Sequence, residues 1–279
     1  GKRYWLTDEA ENLGCKIINI PFDNRGFNIF LDIFVIIKIY ILTYRISPDI
    51  FLSFNIKPII FTGLICKIIN VRNIHMITGL GTAFLKDNIL QKFSIFLYKY
   101  SLDKKNIIFF QNKDDLNFFI DKKIIKTIEY QLLPGSGIDL IKYFYSEYNE
   151  NKEFTFLFVG RLLKSKGINE YLIAAEKISN FYPKIKFQIA GEMVNDKKDK
   201  MNVNLFNKLI LNNKIDYIGH QKNIIPHIIN SDCVVLPSYR EGTPRSLLES
   251  LSLGRPIITS NAVGCKEVII NNENGYICN

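Results

Sequence analysis

An α/β chain with parallel sheets, divided into two domains, is what this sequence predicts, and three observations carry the reading. Short apolar runs alternate with helix-length stretches from end to end, and parallel strands require such crossovers. The runs are too many for one open sheet of ordinary size. A Pro-Gly-Ser-Gly turn at residues 134–137 then opens a polar, tyrosine-rich, charged stretch that breaks the alternation until about residue 152. Polar segments rich in turn residues mark domain boundaries, so the boundary is set at 140/141, giving domains 1–140 and 141–279.

In chain order, strands are expected at 17–20, 50–54, 73–77, 106–110, 128–132, 154–159, 187–190, 215–218, 233–236 and 257–259. Helices are expected between them near 28–45, 58–69, 88–101, 113–122, 167–181, 204–212, 223–230 and 245–253. The stretch 29–46 is the one membrane-like segment. Asp32 and Lys38 interrupt it, and its uncharged parts are too short to span a bilayer. It reads as a mostly buried helix of an α/β domain. No internal repeat is present.

Composition bounds the function. With 47% apolar and 23% charged residues, the 279-residue chain is a globular protein with a substantial core. The net charge of +9 is uneven: between residues 50 and 102, Lys57, Lys67, Arg72, Lys86, Lys92 and Lys99 face Asp87 alone. Such a basic half suits anionic lipid headgroups or a phosphorylated acceptor. The basic residues form no nucleic-acid-binding motif, so no nucleic acid is expected. Cys15, Cys66, Cys233, Cys265 and Cys278 show no CxxC spacing and read as reduced thiols of a cytosolic protein. Three scattered histidines build no metal site. The chain starts without Met and shows no signal peptide.

The most informative segment is Tyr239-Arg240-Glu241-Gly242-Thr243-Pro244-Arg245-Ser246-Leu247-Leu248-Glu249. It follows the apolar strand at 233–236 and enters a helix, with Thr243 as the expected N-cap and Pro244 at the first helical position. Residues 242–246 then offer unpaired N–H groups at the positive end of a helix dipole. A carboxylate on each flank, Glu241 and Glu249, suits a ligand with hydroxyls at both ends and phosphates between. A nucleotide-sugar has that layout.

Together with the following strand Gly254-Arg255-Pro256-Ile257-Ile258, this segment resembles the paired-glutamate signature of family-4 retaining glycosyltransferases. The resemblance covers nearly the whole chain. In the first half it runs through Pro21-Phe22, Lys57-Pro58, Thr78-Gly79-Leu80-Gly81 and Pro134-Gly135-Ser136-Gly137-Ile138-Asp139. The nearest likeness is to bacterial N-acetylgalactosaminyltransferases acting on undecaprenyl-diphosphate-linked sugars, in O-antigen, capsule and protein-glycan synthesis. It implies a GT-B fold, two Rossmann-like domains facing across a cleft. Against that pattern the first strand with its glycine-rich loop and the C-terminal helices look missing.

The resemblance also implies roles. Glu241 contacts donor-sugar hydroxyls and Glu249 the ribose, while the backbone beside Gly242, Thr243 and Pro244 faces the sugar and diphosphate. Arg161 and Lys166 hold the diphosphate; independently, they follow a buried strand ending in Gly160, where ligands of open α/β sheets bind. His220 and Gln221 belong to a loop that lies against the base in relatives, though His220 reads equally as an ordinary loop histidine. Thr78, Gly79 and Gly81 form a loop near the reacting sugar, with a plain βα turn as the other reading. The expected partners are a UDP-sugar, a polyprenyl-diphosphate-linked saccharide and the inner face of the cytoplasmic membrane, with no metal and no cofactor. A nucleotide-sugar 2-epimerase and a non-catalytic UDP-sugar-binding fragment are the alternatives.

Overall fold

The computed structural model describes residues 5–22, 28–81, 84, 89–148, 153–194, 196 and 199–279. Lys86 and Asp87 of the basic stretch lie outside them. The described residues form two sheets: four strands in the order β1-β2-β3-β4, and six in the order β10-β9-β8-β5-β6-β7. They also separate into two compact units. The first takes in residues 1–76, 93–109 and 122–130; the second takes in 77–92, 110–121 and 131–279.

Most of the four-stranded sheet lies in the first unit. Its strands are β1 (Ile50–Phe54), β2 (Arg72–Ile77), β3 (Asn106–Phe110) and β4 (Glu129–Leu132), with β1 and β2 parallel. The helices of this half of the chain are α1 (Trp5–Asn12), α2 (Ile29–Ile46), α3 (Ile56–Ile69), α4 (Ile89–Ser101) and α5 (Lys113–Asp121), of which α5 and the first turn of α4 belong to the second unit. Residues 17–20, expected as a strand, are irregular and largely exposed. Ile17, Ile18 and Ile20 make the run apolar, but adjacent isoleucines break the alternation that would seat one face of a strand on a sheet.

The expectation of a mostly buried α2 is also corrected. Only Val35, Ile39 and Thr43, one narrow stripe, are buried. Phe30 is 87% exposed, and Ile33, Phe34, Ile37 and Tyr44 are exposed as well. A helix apolar all round has no polar face to announce which side finds a neighbour. Asp32, one of the charges that interrupts the run, pairs with Lys57 of α3 at 2.8 Å. Among the described residues, no helix is long and apolar enough to cross a membrane.

The second unit holds the six-stranded sheet: β5 (Thr155–Val159), β6 (Lys186–Ala190), β7 (Asp216–Gly219), β8 (Cys233–Leu236), β9 (Ile257–Ser260) and β10 (Gly275–Cys278). Every pairing in it is parallel. Its helices are α6 (Ile168–Phe181), α7 (Val203–Leu211), α8 (Ile225–Ile229) and α9 (Arg245–Ser252). The inner strands are buried on both faces, which is why β5 and β8 read as unbroken apolar runs. Leu157, Phe158, Leu172, Ile189, Val234 and Leu247 form the centre of its core. The chain runs from β5 outward to β6 and β7, then returns to place β8 on the other flank of β5. The direction of winding therefore reverses between β5 and β8, and ligands of open α/β sheets bind at the carboxyl ends of the strands at such a point.

Candidate functional site

Two loops leave that reversal point, and they carry the predicted charges. After β5 come Gly160, the exposed Arg161 and a 3-10 turn over Lys164–Lys166. After β8 come Pro237, Ser238 and the paired-glutamate segment. Register pairs Phe158 of β5 with Val235 of β8, so the two loops start side by side. The structure closes them on each other: Lys166 Nζ donates to both carboxylate oxygens of Glu241, at 2.5 and 2.7 Å. Ser238 Oγ donates to the same carboxylate at 2.6 Å. The side chains of Lys166 and Glu241 are 24% and 12% exposed, so the pair is sheltered yet reachable.

Backbone contacts fix the rest. Gly167, with φ of 74°, allows the turn to pass Pro237, whose carbonyl oxygen would lie 2.0 Å from any Cβ there. Tyr239 N–H donates to the Ser165 carbonyl at 3.0 Å. Ser165 N–H in turn donates to the Asp199 carboxylate at 2.7 Å. The loop after β9 adds a third support, with Glu241 N–H donating to the Val263 carbonyl at 2.9 Å.

One local expectation is corrected. Helix α9 begins at Arg245, and Pro244, with φ of −72° and ψ of 111°, occupies the N-cap position. Thr243 does not cap it, because its hydroxyl donates to the Gln111 carbonyl at 3.0 Å. Since Pro244 supplies no side-chain acceptor, the first helical amides go unmet. Among the described residues, no acceptor takes the N–H of Gly242, Thr243, Arg245 or Ser246. That is a set of donors at the positive end of a helix.

Glu249 lies on the second turn of α9 and is buried. Arg245 pairs with it at 3.3 Å, and the Tyr143 hydroxyl bonds its carboxylate. Burial, with the Glu249 charge beside it, raises the Tyr143 phenol above its ordinary value. Neither glutamate is turned out to solvent. Thr78 and Gly79 belong to the same compact unit and lie against Gly242: a Cβ on Gly79, whose φ is 117°, would sit 2.9 Å from Gly242 N. Gly81 faces open space.

His220 and Gln221 stand apart. They follow β7, the edge strand three places from β8, which at the usual strand spacing is roughly 14 Å away. His220 is exposed, and Gln221 donates to the Ile218 carbonyl at 2.5 Å. Arg161 is likewise not joined to Glu241; of the two basic residues only Lys166 is.

Sequence reading overlooked Ser238, Asp199, Tyr143 and the segment 111–115. Ser238 had a signal, being the residue beyond a buried strand at the place where ligands gather. Asp199 and Tyr143 had none, because their roles arise from packing between segments distant in the chain.

Comparison with known proteins bears on this arrangement. Residues 143–279 match the family model for "Glycosyl transferases group 1", and residues 6–112 match that for "Glycosyl transferase 4-like". A Campylobacter jejuni N,N'-diacetylbacillosaminyl-diphospho-undecaprenol alpha-1,3-N-acetylgalactosaminyltransferase is 25% identical, over 96% of this chain and 74% of its own. An Escherichia coli UDP-Gal:alpha-D-GlcNAc-diphosphoundecaprenol alpha-1,3-galactosyltransferase is 26% identical, over 98% and 73%. An uncharacterised glycosyltransferase of Methanocaldococcus jannaschii is 28% identical, over 95% and 68%.

Among solved structures, Anabaena HepE in complex with UDP and glucose superimposes with a TM-score of 0.72 at 14% identity, over 92% of this chain and 71% of that one. A glycosyltransferase from Rickettsia africae gives 0.70 at 18%, over 99% and 73%. These structural likenesses establish the fold. Two glycosyltransferase family models that together cover most of the chain, relatives aligned over nearly all of it and two sheets of GT-B type agree: the chain belongs to the group 1, family-4-like glycosyltransferases with the GT-B fold.

Proposed function

We propose that this chain transfers a hexose or N-acetylhexosamine from a UDP-sugar to a lipid-linked saccharide with retention of anomeric configuration. The observation that carries the donor site is the Lys166–Glu241 pair at the β5/β8 reversal point, beside the free amides of Gly242, Thr243, Arg245 and Ser246. Glu241 orients the sugar hydroxyls and Glu249 the ribose. Lys166, Arg161 and the α9 N-terminus meet the diphosphate and stabilise the charge it gains as the bond to C1 of the sugar breaks. The acceptor hydroxyl forms the new bond to C1 on the same face, and its proton passes to the departing diphosphate. His220 and Gln221 belong to the base end of the donor. Residues 1–140 form the acceptor-side domain and 141–279 the donor-side domain. The named substrates of the Campylobacter and Escherichia relatives support a polyprenyl-diphosphate-linked acceptor.

The enzyme works as a peripheral protein at the inner face of the cytoplasmic membrane, which it meets through α4. That helix exposes Phe93, Phe96 and Tyr100 with Lys92 and Lys99 beside them. Aromatic and basic groups on one helix face suit the headgroup boundary.

A screen of UDP-sugars with a synthetic lipid-diphosphate acceptor, read by mass, tests the activity. Sugar epimerisation without acceptor, or no transfer from any donor, overturns it. In calorimetric titration with UDP, Glu249→Ala and Arg161→Ala are each expected to weaken binding by roughly 1–3 kcal/mol, as for loss of a charge-assisted partner. Unchanged affinity in both refutes the site assignment.

A further inference from the structure

The segment that carries Glu241 is gripped by residues outside the donor site just described. Asp115 of α5 is fully buried and takes the Arg240 guanidinium on one carboxylate oxygen. Its other oxygen accepts from the Asn112 amide at 3.0 Å, and Leu80 N–H is a further donor. The Asn112 amide nitrogen also lies 3.2 Å from the Gly242 carbonyl and 3.4 Å from that of Glu241. Its oxygen accepts from Asp115 N–H at 2.7 Å, capping α5. Thr243 is tied to the Gln111 carbonyl alongside. The approach is as close as backbone allows, since a Cβ on Gly242 would sit 2.0 Å from the Thr78 carbonyl oxygen.

One buried carboxylate thus joins the loop at residues 78–81 to the loop at residues 240–243. A buried ion pair adds little stability over well-packed apolar groups. What it adds here is direction: Asp115 takes Arg240 and orients Asn112, whose amide donates to the carbonyls of Glu241 and Gly242, while the Gln111 carbonyl accepts from Thr243. We propose that Asn112, Asp115 and Arg240 are positioning residues that hold Glu241 and the 242–243 backbone in register for the donor sugar. Glu249, whose partners are Arg245 and Tyr143, stands outside this clasp, so the ribose end of the donor is independent of it. The inference rests on the donor-site reading above and refines it.

Calorimetric titration separates the two. The wild-type chain, Asp115→Asn and Arg240→Lys are titrated with UDP and with whichever of UDP-glucose, UDP-galactose, UDP-N-acetylglucosamine and UDP-N-acetylgalactosamine the wild type binds. For Asp115→Asn, UDP affinity is expected to hold within about twofold while UDP-sugar affinity falls roughly tenfold. The kcat for transfer falls about a hundredfold, the cost of a misplaced reacting group. Arg240→Lys, which keeps the charge but loses the planar fork, falls in between. Equal losses for UDP and UDP-sugar would make the clasp a matter of folding alone, and no loss of either would make it idle; both overturn the proposal. If Asp115→Asn does not fold, Arg240→Lys, altered at the less buried partner, carries the same comparison. Failure of the wild type to bind UDP takes the donor-site reading down together with the clasp. Wild-type binding without the split in the variants removes the clasp only.

Discussion

Helices α4 and α6 have 13 and 14 residues, and each carries an apolar stripe at helical spacing, yet they present it in opposite directions. Helix α6 buries Ile168, Tyr171, Leu172 and Ala175, the i, i+3, i+4, i+7 set of an ordinary core-facing helix. Helix α4 turns Gln91, Ser94, Tyr98 and Ser101 inward and leaves Ile89, Phe93, Phe96 and Tyr100 in solvent. The reason lies in what each packs against. A Cβ on Gly63 of α3 would sit 2.9 Å from the Ser101 carbonyl oxygen, so the end of α4 meets α3 closely enough that only glycine fits there. The first unit also buries polar residues beside its apolar core, among them Ser53, Thr62, Asn73, His75 and Asn106. Periodicity reveals that a stripe exists; only the neighbour decides which stripe is buried.

The sharpest way to break this comparison is to cut equivalent-looking apolar residues from each helix. Leu172→Ala is expected to cost about 2–5 kcal/mol of unfolding free energy, the range for truncating a fully buried leucine. Phe96→Ser, on a side chain 63% exposed, should stay within about 0.5 kcal/mol of the parent chain. Denaturant unfolding followed by circular dichroism reads both. Comparable losses from the two would mean that the α4 stripe is covered.

Acid sharpens it next, through the buried polar groups of the first unit. His75 is fully buried on β2, with Nδ1 2.7 Å from Ser53 Oγ on β1. Burial pushes its pKa down from 6.5 to about 4. As pH falls the unfolded chain takes up this proton first. The stability contributed by neutral His75 is therefore whole above pH 6.5 and drains away as pH drops toward 4. The amount is about 3 kcal/mol. A His75→Gln variant should lack that component, so its unfolding free energy should decline less between pH 7 and pH 4.5 than that of the parent. Parallel declines would show that His75 is protonated as readily folded as unfolded.

These contrasts also explain how much could be read in advance. Five strands of the six-stranded sheet were legible nearly residue by residue, because strands buried on both faces are continuous apolar runs bounded by glycine and proline. The strand Cys233–Leu236 falls where the composition of the run places it. The Lys166–Glu241 meeting was foreseeable too, since both residues sit just past the carboxyl ends of neighbouring strands. Three things were not legible. Strand β10 hides in Gly275–Cys278, four residues at a sheet edge with one glycine and little apolar patterning. The exposed face of α2 is invisible in a run that is apolar all round. Asp115 and Asn112 look like helix-entry residues, and only the fold brings them to Arg240, 125 positions later in the chain.

The smallest effect expected is at the surface of α4, and it asks what the inverted stripe is for. Phe96 and Tyr100 stack at 6.5 Å, and Lys67 Nζ sits 5.5 Å from the centre of the Tyr100 ring. A cation over an aromatic face beside exposed lysines has the make-up of a surface that meets anionic headgroups. The chain should sediment with vesicles of phosphatidylcholine and phosphatidylglycerol more than with phosphatidylcholine alone, and less as salt is raised. Replacing Phe96 and Tyr100 together by serine should lower partitioning about tenfold, through lost apolar insertion. Lys92→Glu with Lys99→Glu should erase the preference for the anionic vesicle while leaving the residual binding to the neutral one. Because these side chains are solvent-exposed, stability should hold in every variant, which separates a surface role from a structural one. If neither pair of substitutions changes sedimentation, α4 does not face lipid, and its apolar stripe belongs to contact with the acceptor saccharide or another protein.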